Sequence, residues 1–242
     1  MTAILAIESS TLTASVALLV DGEIVYDKES GVNSHSEILL SLVDEALRHA
    51  SLTLRDLQTI AIGQGPGSFT GLRIGMATVK GLCFASEVSL TPVSSLAAVA
   101  LDGFRHCPSD SLLLSVLDAR RGEIFVCAFT KGSDTLDVVN AVGAEQVMKP
   151  SDFAQYAASQ RTSSPILCGS GAHKYLEEVG KSGEFLADAR LTPSAAAVAK
   201  LAQHLPASEE LAEVAPSYVR LSEAEIKFPN GNTGGTFSFQ QK

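Results

Sequence analysis

The sequence predicts an α/β fold in which one unit occurs twice, and three observations carry that prediction. Two apolar strands, Ala3–Glu8 and Leu112–Asp118, each end in a carboxylate. Each is followed by two more strands, a helix and a further strand, then a glycine turn and a helix. The glycine turns, Gly63 to Gly71 and Gly169-Ser170-Gly171, fall at the same place in both runs. This is the order of the duplicated actin-like (ASKHA, ribonuclease-H-like) fold, with two βββαβα halves.

The elements of the first half follow in order. Ala3–Glu8 is a continuous apolar run and reads as a central strand buried on both faces. Ala14–Val20 and Glu23–Lys28 read as strands joined by Asp21-Gly22, a strong hairpin signal. Ser34-His35-Ser36-Glu37 is a capping-box pattern that opens a helix running to about Ala50. On that helix Leu39, Leu40, Leu42, Val43, Ala46 and Leu47 fill roughly 160°, wider than the ~100° stripe one sheet requires.

Thr59–Ile62 reads as a short buried strand, ended by Gly63, Gly65, Pro66, Gly67 and Gly71, with a helix from Gly71 or Leu72. The loop matches neither phosphate motif. No lysine follows its last glycine as a P-loop requires, and Thr70 stands where the dinucleotide fingerprint needs a third glycine. Spacing favours, over a phosphate cradle, a tight loop that lets strand and helix pack closely. The helix over Leu72–Ala85 is apolar almost all round, with Arg73 and Lys80 as a narrow polar edge, so it should be covered by its own sheet and by something else. Val88–Val93 is a connector or short strand, and a helix starts at Ser94 or Ser95.

A polar stretch, Arg105 to Ser109, divides the chain into residues 1–107 and 108–228. In the second half Glu123–Thr130 and Thr135–Val142 read as strands, Ser151–Gln160 as a helix and Ile166–Cys168 as a strand. Helices start near Ala172 and at Ser194, and the stretch from Glu209 is expected to return to the first half. The tail 229–242, PNGNTGGTFSFQQK, is expected to be disordered or held only by a neighbour.

Composition narrows the function classes. At 242 residues, 45% hydrophobic and 19% charged, the chain has ordinary globular make-up. With no basic, apolar leader and no run near the ~20 apolar residues of a membrane span, it is expected to be cytoplasmic with no membrane partner. Four scattered cysteines form no CxxC pair, and five scattered histidines form no chelating pair, so no metal site is expected. Eighteen basic against 27 acidic residues give a net charge of −9, so nucleic acid would have to be held by a partner.

In enzymes of the actin-like class phosphates lie on the turns after the first strand of each half. Here those turns are Glu8-Ser9-Ser10-Thr11-Leu12-Thr13, without a glycine, and Asp118-Ala119-Arg120-Arg121-Gly122, with one. Backbone amides are poorly placed to wrap a triphosphate. Glu8 and Asp118 could hold magnesium or simply end their strands. Glu8, Ser9, Ser10, Asp118 and Arg120 are therefore read as a vestigial nucleotide cleft with no catalytic residue. Arg73, Lys80, Arg120 and Arg121 are candidate anion or salt-bridge contacts.

The stretches ILAIESSTLTASVAL, NSHSEILLSLVDEAL, GQGPGSFTGLRIGMATVKGL and LDARRGEIF resemble the TsaB (YeaZ) family. That family serves the machinery that makes threonylcarbamoyladenosine next to the tRNA anticodon. The resemblance covers the first half and thins after about Thr130. It implies a non-catalytic relative of TsaD, the subunit that transfers the threonylcarbamoyl group and binds metal through a histidine pair. This chain has His35 and, where the second histidine would fall, Leu39. Glu8 stands where aspartate is commoner in the family.

The resemblance also implies partners: TsaD, a second copy when TsaD is absent, the ATP-binding TsaE, and tRNA only through the complex, to which ATP and metal belong. The expected interface is His35, Leu39, Leu42, Val43 and Ala46 on one helix, and Leu72, Met76 and Val79 on the other, with Arg73 and Lys80 at the rim. On this reading Met76→Arg abolishes pairing and leaves the fold intact. The competing readings are an autonomous actin-like ATP-dependent phosphotransferase and a metallopeptidase.

Overall fold

The computed structural model describes residues 1–30, 35–108, 110–132, 137–160, 164–208 and 210–220, with only the backbone of 35–37. Strand β1 (Ala3–Glu8) is buried along its whole length. Its neighbours explain that burial: it is the middle strand of a five-stranded sheet, ordered β3-β2-β1-β4-β5. The others are β2 (Ser15–Val20), β3 (Glu23–Glu29), β4 (Thr59–Gly65) and β5 (Ser89–Ser94). β2 runs antiparallel and β4 parallel to β1. The β2–β3 turn has positive φ at both Asp21 (48°) and Gly22 (89°), the primed geometry expected for Asp-Gly.

Side chains alternate along β1, so each face has its own core. Leu5 and Ile7 pack with α1 (His35–His49) and α2 (Phe69–Ser86). Ile4 and Ala6 pack instead with α3 (Ser95–Gly103) and with α7 (Ala195–Ala202), which comes from the far end of the chain.

The second sheet, β8-β7-β6-β9-β10, repeats the order of the first. It is made of β6 (Leu112–Arg120), β7 (Glu123–Lys131), β8 (Val139–Met148), β9 (Ile166–Cys168) and β10 (Glu184–Phe185). Its inner face, with Leu113, Leu117, Phe125 and Phe129, packs on α3. Its outer face packs on α4 (Phe153–Ser159) and α6 (Leu176–Val179), and α5 (Ser170–Lys174) precedes α6. The layers therefore run α1/α2, first sheet, α3/α7, second sheet, α4 to α6. Among the described residues no helix is long and apolar enough to cross a membrane.

Several boundaries differ from the sequence expectation. α2 begins at Phe69 because Ser68 caps it, its hydroxyl accepting from the Gly71 amide at 3.4 Å. Pro92 sits within β5, tolerated because β5 is the edge strand of its sheet, with β4 as its one neighbouring strand there. β8 starts at Val139, and residues 135–136 of the expected strand lie outside the described residues. A 3₁₀ turn, Pro150–Asp152, shortens α4, and Tyr175 at φ −111°, ψ 35° divides α5 from α6. Ser34 of the capping box and the tail 229–242 also lie outside the described residues.

The chain after α7 returns to the first half as expected. The Ser208 amide donates to Leu90 O (2.8 Å) and the Ser217 amide to Gln64 O (2.7 Å), while Val214 is buried in the α1/α2 core. Arg220 then reaches the second half, donating from Nη1 to Ala119 O at 3.0 Å.

Candidate functional site

The glycine loop exists to admit the turn after β1. A Cβ at Gly67 would strike Ser10, and one at Gly71 or Gly75 would strike Ser9. Ser9 is fully buried and its hydroxyl donates to Gly71 O at 3.0 Å. The loop is thus a packing device rather than a phosphate cradle.

Glu8 is enclosed by the same arrangement. It is 1% exposed, a Cβ on Gly63 would collide with its carboxylate, and its oxygens accept from the Ser10 amide (2.5 Å) and the Ser95 hydroxyl (2.9 Å). Burial pushes its carboxyl above the usual carboxylate range, and hydrogen bonds from Ser10 and Ser95 offset this only in part.

A cleft of about 550 Å³ lies between the halves. Its walls are the turn Ser10 to Thr13, the start of α2 from Gly67 to Thr70, and the end of β6 from Leu117 to Arg120, with Phe125, Ser170, Lys174, Thr192 and Arg220. Of the residues read as a vestigial cleft, Ser10, Asp118 and Arg120 line it, whereas Glu8 and Ser9 are packed behind it. Asp118 is engaged: Lys174 Nζ lies 2.8 Å from Oδ2 and the Arg120 amide donates to Oδ1 at 2.9 Å. The two strand-end carboxylates therefore do not face one shared metal position. Sequence reasoning missed Lys174, Thr192 and Arg220. The repeat held a signal for Lys174, since α5 follows the second glycine turn as α2 follows the first.

The expected partner face needs correction. Leu39, Leu42, Val43, Ala46, Leu72, Met76 and Val79 are all buried, at most 7% exposed. All of these except Leu72 belong to the core between the first sheet, α1 and α2. The two helices pack on each other as well as on the sheet, which uses the wide apolar sector that suggested surplus surface. These side chains thus face the interior of the half, and the solvent-exposed positions of the two helices are others. His35 starts α1, but its side chain lies outside the described residues.

The exposed face of α2 is a different set. Thr70, Arg73, Ala77, Gly81 and Phe84 recur at helical spacing and are exposed, Phe84 at 84%. A Cβ on Gly81 would meet nothing within 4 Å. On α1, Leu40 is 53% exposed. Arg73 and Lys80 are bound to the returning chain: Arg73 Nε donates to the Tyr218 hydroxyl at 3.1 Å and its guanidinium stacks 3.9 Å over Phe69, while Lys80 Nζ donates to Ala212 O at 3.2 Å. Part of what covers α2 is thus the chain's own C-terminal stretch.

Comparison with known proteins follows the same lines. Residues 26–235 match the family model of TsaD, tRNA N6-adenosine threonylcarbamoyltransferase. The Escherichia coli tRNA threonylcarbamoyladenosine biosynthesis protein TsaB is 30% identical over 230 residues, 93% of this chain and 98% of that one. The chain belongs to the TsaB (YeaZ) family. The Bacillus subtilis TsaB is 29% identical over 93% of this chain and 97% of its own, and the Haemophilus influenzae TsaB is 35% identical over about half of each chain. YeaZ from Pseudomonas aeruginosa superposes with a TM-score of 0.73 at 28% identity, over 90% of this chain and 100% of that one. Membership of the TsaB family places the chain in tRNA threonylcarbamoyladenosine biosynthesis, on a duplicated actin-like fold. Within that TsaB frame, the enclosed Glu8, the engaged Asp118 and the open α2 face are the features that bear on function.

Proposed function

We propose that this chain is a non-catalytic subunit that pairs with TsaD, activates it and recruits TsaE, for threonylcarbamoyl transfer to the tRNA adenosine next to the anticodon. In the absence of TsaD it pairs with a second copy of itself. ATP and metal are brought by the complex, and tRNA is reached through it, in keeping with a net charge of −9.

The observation that carries this reading is the outer face of α2. Phe84 stands 84% exposed beside Ala77 and Gly81, and among the described residues no packing requires a glycine at 81. A large aromatic beside small residues suits a helix that receives another helix at close range. Leu40 on α1 adds apolar surface to the same half. The enclosure of Glu8 and the pairing of Asp118 support the non-catalytic part, because both strand-end carboxylates already serve the fold.

The test is reconstitution of tRNA threonylcarbamoylation from TsaD, TsaE and this chain. Wild-type chain is expected to raise the yield of modified tRNA, and Phe84→Asp, which alters only an exposed side chain, to remove that stimulation. Full stimulation by Phe84→Asp would overturn the assignment of this face.

A further inference from the structure

The two sheets have four edges, and three of them are blunted or covered by the described residues. β3 carries Glu23, Asp27, Lys28 and Glu29, charges that discourage a further strand. β5 is met by the returning chain, where the Ser208 amide donates to Leu90 O. β10 is two residues long. The edge at β8 differs. Among the described residues β7 is its one neighbouring strand, and Asn140, Ala141, Val142, Gly143 and Ala144 are exposed in succession without a charge among them. An irregular register around Gly143 (φ 91°) separates two regularly paired stretches, 139–142 and 146–148. Val142 is 40% exposed and lies opposite Ala128, so it shares the sheet face of the α4 and α6 core and leaves the margin of that core open.

The chain itself supplies a segment of matching length next to this edge. Val219 packs against the same core as Val147, the Ser217 side chain hydrogen-bonds Glu145, and Arg220 Nη1 donates to Ala119 O (3.0 Å) and Glu123 Oε2 (3.1 Å). Glu123 precedes Ile124, which pairs with Met148, so Arg220 is held at the Met148 end of β8. Residues 221–228, outside the described residues, have the sequence LSEAEIKF. Ala224, Ile226 and Phe228 alternate with Glu223, Glu225 and Lys227, the period of a strand with one apolar face, and Pro229 ends the run before it reaches helical length. Extended, these eight residues span about 27 Å, most of the length of the ten-residue β8. Attachment through Arg220 gives the segment a high effective concentration at this edge.

We propose that residues 221–228 add to β8 as a sixth, antiparallel strand of the second sheet, with Ala224, Ile226 and Phe228 on the Val142 side. The added strand closes the uncharged edge that the described residues leave open. Its seat belongs to the second half and is separate from the α2 face, so it stands independently of the pairing role.

Amide hydrogen exchange on the full chain, read residue by residue by mass spectrometry, tests it. The comparison is between the wild type and a double variant, Glu225→Pro with Ile226→Pro. Adjacent residues of a strand point their amides to opposite edges, so the two prolines remove a donor to β8 whatever the register. In the wild type the remaining amides of 221–228, and those amides of β8 that do not donate to β7, should exchange about tenfold or more slowly than in the double variant. Thr236→Pro, beyond the segment, should leave both sets protected, and thermal melts of each variant report that it is folded. The protection should not change with protein concentration. Random-coil exchange of 221–228 in the wild type, exchange in β8 that is the same in the wild type and the double variant, or protection that rises with protein concentration, as a second copy seated on this edge would give, overturns the proposal.

Discussion

Glu8 lies 1% exposed at the end of β1, with both carboxylate oxygens occupied by Ser10 and Ser95. Burial raises its pKa in the folded chain, so the folded state favours the protonated form. Its contribution to stability is complete below the ordinary glutamate range and declines as pH rises toward the raised folded value. Glu8→Gln keeps an acceptor for the Ser10 amide and offers a donor to Ser95 while removing the titration. The urea midpoint of the variant should therefore fall less than that of the wild type between about pH 5 and pH 8; parallel profiles would contradict this account. Asp102 and Glu145, also raised by burial, leave a residual slope in both proteins. Met76 makes the complementary case. At 5% exposure within the α1/α2 core it has no room for a charge, so Met76→Arg should cost more than about 3 kcal/mol and abolish cooperative melting. A wild-type melt would return Met76 to the surface role that the sequence suggested. At this scale the sequence revealed that Glu8 and Met76 mattered but not how, because burial depends on Gly63 and on α1, neither of which adjoins them in the chain.

Helix α2 carries two kinds of glycine, and their difference is physical. Gly71 and Gly75 face Ser9, where a methyl group has no space, whereas Gly81 faces open solvent. Gly81→Ala should therefore raise stability by up to about 1 kcal/mol through helix propensity alone, read as a higher urea midpoint. Gly75→Ala should lower it, and equal effects at the two positions would contradict the assignment of faces. The order of strands and helices was legible here, since alternation and capping are local properties. The Ser68 cap moved the start of α2 to Phe69, a shift of a few residues that the glycine spacing concealed. The outward direction was not legible. A wide apolar sector on α1 and α2 fits either a partner or the packing of the two helices on each other, and periodicity cannot separate the two.

On the scale of the molecule, the duplicated order was written in the sequence because each half repeats the same local signals. The cleft was not. Ser10, Asp118, Lys174 and Arg220 come from both sheets and from the returning chain, and only the stacking of layers around α3 and α7 brings them to one place. The returning stretch fastens the halves together, from Leu90 and Gln64 in the first sheet to Ala119 in the second. It also occupies Arg73 and Lys80, so among the described residues the Ala77, Gly81 and Phe84 side of α2 is left uncovered. The central claim is that this side is where a second subunit docks. Size-exclusion chromatography with light scattering tests it most directly, on wild type and Phe84→Asp, each alone and mixed with TsaD. The account predicts a one-to-one complex of the wild type with TsaD, formed at the expense of any homodimer, and a monomeric Phe84→Asp that stays separate from TsaD. A Phe84→Asp chain that forms the complex as the wild type does, or a wild type that forms none, would contradict it.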